Sequence, residues 1–192
     1  MRKMLLVGLL SLSTTVFSGT KVAIFAGGCF WCLEADFDKV PGVIKTISGY
    51  DGGISSNPSY KKVSSGQTHY AESVKVVYDP IKVSYSQLLQ YFWLHIDPTV
   101  KNAQFCDHGK QYRSAIFYLN SEQKQQALVS LNKVKKLFHH VYTQVTPSTN
   151  FYPAENYHQE YYKKNPIRYK YYRWNCRRDA RVKQIWKNKT LK

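Results

Sequence analysis

The feature that most constrains the fold is a short apolar run, Val22 to Ala26, which two glycines separate from a helical pattern. The run has the composition of a buried strand, and the residues after it recur with helical spacing. These spaced apolar residues are Phe30, Leu33, Phe37 and Val40. Because glycine accepts backbone angles that other residues avoid, Gly27 and Gly28 permit a sharp turn. The pattern predicts a strand, a tight turn and a helix near residue 30.

Cys29 would stand at the first turn of this helix, with Cys32 three residues later. Free N–H groups and the helix dipole at such a position favour a thiolate. A disulfide between cysteines so close in sequence closes a small loop and constrains the unfolded chain little. The pair therefore indicates redox chemistry more than structural stabilisation, and Cys29 is the candidate nucleophile.

The rest of the chain alternates between strand and helix patterns without an internal repeat or a linker. The patterns predict strands at 71–78, 114–119 and 141–146, helices at 84–96 and from Asn120 or Ser121 to about 138, and loops at 49–66 and 99–113. A loop followed by a helix is expected at 151–164, and the segment 169–186 has mixed character. This order predicts an α+β fold, a two-layer sandwich of the ferredoxin-like α/β plait type with a mixed, mostly antiparallel sheet and extended loops.

The first 18 residues have the layout of a secretory signal peptide. Arg2 and Lys3 precede a largely apolar stretch at 5–17, and Val16 and Ser18 suit a cleavage site after residue 18. An uncleaved anchor is the alternative. We expect an exported, periplasmic protein with one domain at 19–192, comprising a core at 21–164 and a C-terminal tail at 165–192.

The formal net charge is +16, with basic residues spread along the chain and a denser tract after Arg173. No nucleic-acid motif accompanies them, so the charge favours a solvated basic surface with weak attraction to anionic membranes, without stable membrane insertion. A zinc site would need Cys29 and Cys32 together with ligands such as Cys106 and His108. The chain has no second CxxC and no HxxxH, so we expect neither a metal nor another cofactor.

Four polar residues accompany the cysteines at strand ends or in loops: Tyr60, Glu72, Asp107 and Tyr112. Each alone has an ordinary structural explanation, but together they match a known pattern. Over residues 21–164 the sequence resembles the peptide methionine sulfoxide reductases of the A type. The matching motifs are Gly28-Cys29-Phe30-Trp31 with Glu34, Asn57-Pro58-Ser59-Tyr60, Ala71-Glu72, Val77-Tyr78-Asp79-Pro80, Asp107 with Gly109, Gln111-Tyr112-Arg113-Ser114, and Phe151-Tyr152-Pro153-Ala154-Glu155 with Tyr157-His158-Gln159.

The resemblance implies reduction of methionine S-sulfoxide, free or in proteins, as a repair of oxidative damage. It assigns the nucleophile to Cys29 and the acid to Glu72, kept protonated by burial. Tyr60 and Tyr112 would donate hydrogen bonds to the sulfoxide oxygen, and Asp107 would hold this network. Phe30 and Trp31 would form the apolar pocket for the substrate methyl group.

The same chemistry leaves a sulfenic acid on Cys29, which a second thiol must resolve to a disulfide. Cys32 is the favoured thiol, with Cys176 as a second relay and Cys106 as a further alternative. The resemblance implies a thioredoxin or thioredoxin-like reductant, and we expect a monomer.

Two other functional classes remain open from the sequence. A general thiol–disulfide oxidoreductase would use the same CxxC, but it would leave Glu72 and the tyrosines without a role. A basic surface-binding protein would need the cysteines only for structure and would tolerate Cys29→Ser.

Overall fold

A six-stranded sheet forms the frame of the molecule in a computed structural model that describes residues 19–191. Its strands are β1 (Lys21–Gly27), β2 (Val43–Asp51), β3 (Ala71–Tyr78), β6 (Ser114–Tyr118), β7 (Gln144–Pro147) and β8 (Tyr152–Pro153). A separate hairpin pairs β4 (Ala103–Gln104) with β5 (Asp107–His108). The strand order in the large sheet is β7-β6-β1-β3-β2-β8, in which β6 and β7 run parallel and the other pairs are antiparallel. The predicted mixed α+β fold with a mostly antiparallel sheet is confirmed.

Seven helices and one 3-10 turn connect these strands in the described part of the chain. They are α1 (Phe30–Phe37), α2 (Tyr60–Ser64), α3 (Tyr85–Trp93), the 3-10 turn (Lys110–Tyr112), α4 (Ser121–Lys135), α5 (Tyr161–Lys164), α6 (Pro166–Asn175) and α7 (Arg178–Trp186). The Ser84 side chain accepts a hydrogen bond from the Gln87 N–H and begins α3 with a capping box. Asn120 begins α4 in the same way by accepting from the Gln123 N–H. Both predicted helix starts are confirmed.

The core explains why β1 is a continuous apolar run. Phe25 on one face of the sheet stacks on Phe37 of α1 and Phe92 of α3, with ring centroids 5.0 and 5.1 Å apart. On the other face, Ile24 packs in a second buried cluster with Phe117 of β6. Since both faces are covered, alternation between polar and apolar residues is absent from the middle of this strand.

The structure departs from the predicted pattern in several places. The β4–β5 hairpin and the 3-10 turn lie in the loop predicted at 99–113, and the strand predicted at 141–146 begins at Gln144. Strand β2 begins at Val43 and continues to Asp51, so its last residues lie within the loop predicted at 49–66. The short helix α2 also lies within this loop. The tail forms two further helices, α6 and α7. The predicted signal peptide lies outside the described residues. Among the described residues, no helix combines the length and the apolar character that crossing a bilayer requires.

Candidate active site

Cys29 lies in the turn between β1 and α1, immediately before the first helical residue. Gly28 makes this turn with a φ of +83°, in the left-handed region that favours glycine. A Cβ atom at this position would come within 2.6 Å of the Gln104 Cβ on the neighbouring hairpin. Gly28 therefore serves both the sharp turn and the close approach of β4, whereas a Cβ atom at Gly27 would come within 2.7 Å of the Ile96 side chain.

Gly28→Ala should destabilise the fold by about 2–4 kcal/mol, because alanine at a positive φ is strained and its methyl group overlaps Gln104. Urea unfolding of the full chain measures the effect. Gly19→Ala is the matched control, because nothing lies within 4 Å of the added methyl group. Equal stability of the two variants would contradict the packing argument.

Glu72 extends from β3 toward the start of α1. It is buried, and its Oε2 accepts a hydrogen bond of 3.0 Å from the Phe30 N–H. On the sheet it faces Tyr50 of β2. Burial raises the pKa of this carboxyl to about 8, although the hydrogen bond from Phe30 acts in the opposite direction. Most Glu72 side chains are therefore protonated at neutral pH.

Tyr60 and Tyr112 approach the same region from α2 and from the 3-10 turn. Burial raises the pKa of Tyr60 to about 12, with further contributions from the charges of Glu72 and Cys29. Burial and the Glu72 charge also raise the pKa of Tyr112 well above its usual range. Both phenols stay neutral at physiological pH and are available as hydrogen-bond donors.

Asp107 lies on β5 and accepts a hydrogen bond of 2.5 Å from the hydroxyl group of Tyr172 on α6. Burial raises the pKa of this carboxyl, while the bond from Tyr172 lowers it. The charge of Asp107 contributes to the raised pKa values of Cys29, Glu72 and Tyr112. The structure therefore brings together the five predicted polar and nucleophilic residues in one electrostatically linked group.

Three residues at the site received no role from the sequence. The Trp31 indole donates a hydrogen bond of 3.0 Å to His158 Nδ1, and the His158 ring packs on Tyr60 at a centroid distance of 4.3 Å. Glu155 accepts hydrogen bonds from the Tyr60 N–H and the Tyr50 hydroxyl group. The third residue is Tyr172. The motif at 153–159 was the only sequence signal for His158 and Glu155, and no sequence signal indicated Tyr172.

Comparisons with known proteins identify the family. The sequence model described as "Peptide methionine sulfoxide reductase" matches residues 21–190. The chain belongs to this family. It is therefore an oxidoreductase that reduces methionine sulfoxide to methionine through cysteine chemistry.

Individual relatives agree along most of the chain. Peptide methionine sulfoxide reductase MsrA 2 of Caulobacter vibrioides is 45% identical over 168 residues, covering 87% of this chain and 86% of its own. MsrA of Bacillus subtilis is 42% identical, with coverage of 86% and 96%. MsrA/MsrB of Vibrio cholerae is 47% identical over 85% of this chain, and the chain spans 44% of that protein's length.

Solved structures of the family have the same fold. Reduced Mxr1 from Saccharomyces cerevisiae superposes with a TM-score of 0.73 at 32% identity, covering 83% of this chain and 94% of that one. Methionine sulfoxide reductase A of Corynebacterium diphtheriae gives a TM-score of 0.72 at 34% identity, with coverage of 78% and 76%.

In this reductase the two cysteines of the CxxC motif are buried free thiols. Burial raises the pKa of Cys29, and the neighbouring Cys32 and the charge of Glu72 act in the same direction. The neighbouring Cys29 and the charges of Arg178 and Arg173 lower the pKa of Cys32, while burial acts against this shift. The prediction that the pKa of Cys29 is lowered is thus wrong for this form. Burial outweighs the effect of the helix dipole on the thiolate, and the Phe30 N–H at the helix start already donates to the Glu72 carboxyl.

The other two cysteines, Cys106 and Cys176, form a disulfide with a Cα–Cα distance of 4.9 Å. It joins the β4–β5 hairpin to the end of α6. Neither sulfur is a free thiol in this form, so resolution through Cys176 or Cys106 would first require reduction of this bond. The disulfide also fixes the C-terminal helices beside the active site.

The predicted pocket residues differ in accessibility. Phe30 is buried, with its ring 4.9 Å from His158, whereas Trp31 is partly exposed. The Trp31 ring stacks on Tyr161 at 3.7 Å and meets the ring of Tyr172 edge-on at 5.8 Å. The aromatic wall at the site thus combines residues of α1, α5 and α6.

Proposed function

We propose that this reductase acts on the S epimer of methionine sulfoxide with Cys29 as nucleophile and Glu72 as acid. The observation that carries this assignment is the buried Glu72 carboxyl, which lies against the first turn of α1 and has its pKa raised to about 8. A carboxylic acid that is neutral at pH 7 beside a cysteine can supply a proton to a sulfoxide oxygen. The preference for the S epimer rests on family membership.

The reaction begins when the Cys29 thiol gives up its proton to solvent and the resulting thiolate attacks the sulfur of the sulfoxide. The S–O bond weakens as its oxygen receives the Glu72 proton, and Tyr60 and Tyr112 stabilise the developing charge by hydrogen bonds. Methionine leaves and the oxygen remains on Cys29 as a sulfenic acid. Asp107 holds the hydrogen-bond network, while Phe30 and Trp31 contact the substrate methyl group.

Cys32 then resolves the sulfenic acid. Its thiolate attacks the sulfur of Cys29, a disulfide forms, and the oxygen leaves as water after it gains a proton. A dithiol reductant of the thioredoxin type restores both thiols. Cys29 and Cys32 are both buried free thiols one turn apart at the start of α1, where the Cys32 N–H donates to the Cys29 carbonyl oxygen at 3.1 Å, and this proximity supports the assignment. Cys176 serves as a second relay only after the Cys106–Cys176 disulfide has been reduced.

The cellular setting of this reaction follows from the N-terminal pattern. A signal peptide at 1–18 would direct residues 19–192 to the periplasm as a single-domain monomer, where the reductant must also be extracytoplasmic. Substrates would be oxidised proteins or free methionine sulfoxide in that compartment.

We also assign the central four strands with α1 and α3 to the ferredoxin-like plait. The order β6-β1-β3-β2, with antiparallel pairing throughout and a helix after β1 and after β3, supports this assignment.

Separate incubation of the full chain with the S and R epimers of methionine sulfoxide, each with excess dithiol, tests the proposal. We expect methionine to form from the S epimer at a rate at least tenfold above that from the R epimer. Reduction of insulin disulfides is the control for a general oxidoreductase and should be negligible by comparison. Equal rates on the two epimers, or faster insulin reduction, would contradict the proposal.

A further inference from the structure

The helix α6 places one tyrosine in contact with three parts of the active site. The Tyr172 hydroxyl group donates a hydrogen bond of 2.5 Å to Asp107 Oδ2 on β5. The Tyr172 ring meets the Trp31 ring of α1 edge-on, with centroids 5.8 Å apart, and packs against the buried cluster that contains Cys32. One side chain thus touches the predicted network, the predicted substrate pocket and the surroundings of the second thiol.

The hydrogen bond to Asp107 is suited to fix the orientation of that carboxyl group. Both partners are partly buried, and a bond of 2.5 Å is at the short end of the range for O–H···O bonds, as is usual when the acceptor is a carboxylate. The donor belongs to a ring that is itself held by packing on α1. The bond therefore limits the rotation of the Asp107 side chain and leaves its second oxygen able to accept.

A covalent link joins the same two segments beside this hydrogen bond. Cys106 directly precedes Asp107, and Cys176 lies one helical turn after Tyr172, whose carbonyl oxygen accepts from the Cys176 N–H at 3.0 Å. The Cys106–Cys176 disulfide, with a Cα–Cα distance of 4.9 Å, holds the backbone of α6 close to the β4–β5 hairpin. Because both backbones are fixed, the phenol loses little further conformational freedom when it binds the carboxyl group.

The position of Asp107 matters because its charge reaches the reacting groups. It acts on Cys29, Glu72 and Tyr112, which carry the proposed attack, proton transfer and hydrogen bonding to the sulfoxide. A displacement of about 1 Å in a catalytic arrangement costs on the order of 10²-fold in rate. A group that fixes Asp107 is therefore expected to affect the rate without touching the substrate oxygen.

We propose that Tyr172 is a positioning residue for the reduction step, in which its hydroxyl group orients the Asp107 carboxyl group and its ring supports Trp31 at the substrate pocket. The Cys106–Cys176 disulfide keeps Tyr172 in this place. This inference rests on the proposed roles of Asp107 and Trp31. No bond to Tyr172 forms or breaks, so the proposed reaction keeps its steps.

Substitution of Tyr172 separates the role of its hydroxyl group from that of its ring. Methionine release from the S epimer is followed in a single turnover without reductant, so that the disulfide stays closed. Tyr172→Phe keeps the ring and should lower the maximal rate constant about tenfold or more, with the half-saturating concentration within about twofold of that of the wild type. Tyr172→Leu also loses the edge contact with Trp31 and should raise the half-saturating concentration about three- to tenfold.

Tyr162→Phe is the matched control. Tyr162 donates a bond of the same length, 2.5 Å, to Asp38 Oδ2, but this pair lies at the opposite end of α1 from Cys29. The variant should leave both kinetic parameters unchanged. Wild-type parameters in Tyr172→Phe, or an equal loss in Tyr162→Phe, would overturn the proposal.

A double-mutant cycle tests whether Tyr172 acts through Asp107. In an Asp107→Ala background the bond is already absent, so Tyr172→Phe should change the maximal rate constant by less than about twofold. The same four proteins are unfolded in urea, a measurement that needs no sulfoxide, and the midpoint shift caused by Tyr172→Phe should shrink in the same way. Additive effects in either measurement would show that Tyr172 does not act through this carboxyl group.

Removal of the disulfide tests how Tyr172 is held. The double variant Cys106→Ser with Cys176→Ser should react more slowly than the wild type, and Tyr172→Phe should cost a smaller factor in this background than with the disulfide closed. An undiminished factor would contradict the supporting role of the disulfide. Absence of methionine release from the wild-type chain would overturn the proposed function itself, whereas an active wild type matched by Tyr172→Phe would overturn this inference alone.

Discussion

Cys29→Ser should lower the rate of methionine formation by on the order of 10³-fold or more, because a serine hydroxyl cannot replace the thiolate as nucleophile toward sulfur. Cys29 precedes the Phe30 N–H that donates to Glu72, and its charge acts on both Tyr60 and Tyr112. Methionine produced from the S epimer with excess dithiol is the measurement. Stability should be little affected, since the substitution replaces one small buried group by another.

The informative comparison is Cys32→Ser. This variant keeps the nucleophile and should release about one equivalent of methionine per enzyme in a single turnover without reductant, leaving a sulfenic acid that a dimedone-type reagent traps. Wild-type enzyme should instead yield a Cys29–Cys32 disulfide, detectable by peptide mapping. Methionine formation by Cys29→Ser at the wild-type rate would contradict the assignment of the nucleophile, and an oxidised wild-type enzyme lacking that disulfide would contradict Cys32 as its resolver.

The sequence predicted the parts of the site that depend on local chain geometry. A strand, two glycines and a helical repeat were sufficient to place Cys29, and the alternating pattern around Glu72 was sufficient to place β3. Strand β2 was partly taken as a loop because its pairing with β3, residue by residue from Thr46 to Asp51, is a tertiary property.

The contributions of the C-terminal segment could not be predicted for the same reason. Tyr172 is one of 16 tyrosines, and Arg178 is one of 28 basic residues. Their importance arises because the Cys106–Cys176 disulfide and the packing of α6 and α7 bring them to α1 and β5. The composition of the C-terminal segment predicted a solvated basic surface. Arg178 in this segment is instead buried and donates a hydrogen bond to the Gly27 carbonyl oxygen beside the active-site turn.

The acidity of the cysteine pair shows a competition between local and tertiary effects. The start of a helix favours a thiolate at Cys29, and this argument is sound for an exposed helix. Here burial acts against the charge, and Glu72 accepts from the Phe30 N–H at that helix start. The arginines from α6 and α7 then favour the charge on Cys32.

Glu72→Gln should have the second large effect, with opposite signs for activity and stability. Removing the acid should lower the reduction rate by roughly 10²–10⁴-fold, whereas glutamine can still accept the Phe30 hydrogen bond. Stability should increase at neutral pH. A carboxyl whose pKa is about 8 when folded and near its ordinary value of 4.5 when unfolded disfavours folding increasingly as pH rises between these values. The difference at pH 7 is on the order of 3 kcal/mol.

The pH dependence separates this role from simple structural damage. In the wild-type enzyme the rate should fall about tenfold per unit above pH 8, as Glu72 loses its proton, and this descending limb should be absent from Glu72→Gln. Glu122→Gln, on the exposed surface of α4, is the matched control and should leave both rate and profile unchanged. Because a damaged fold would lower activity and stability together, a variant that is less active yet harder to unfold with urea identifies Glu72 as the acid. Retention of the wild-type rate and of its alkaline limb would show instead that the proton comes from another group.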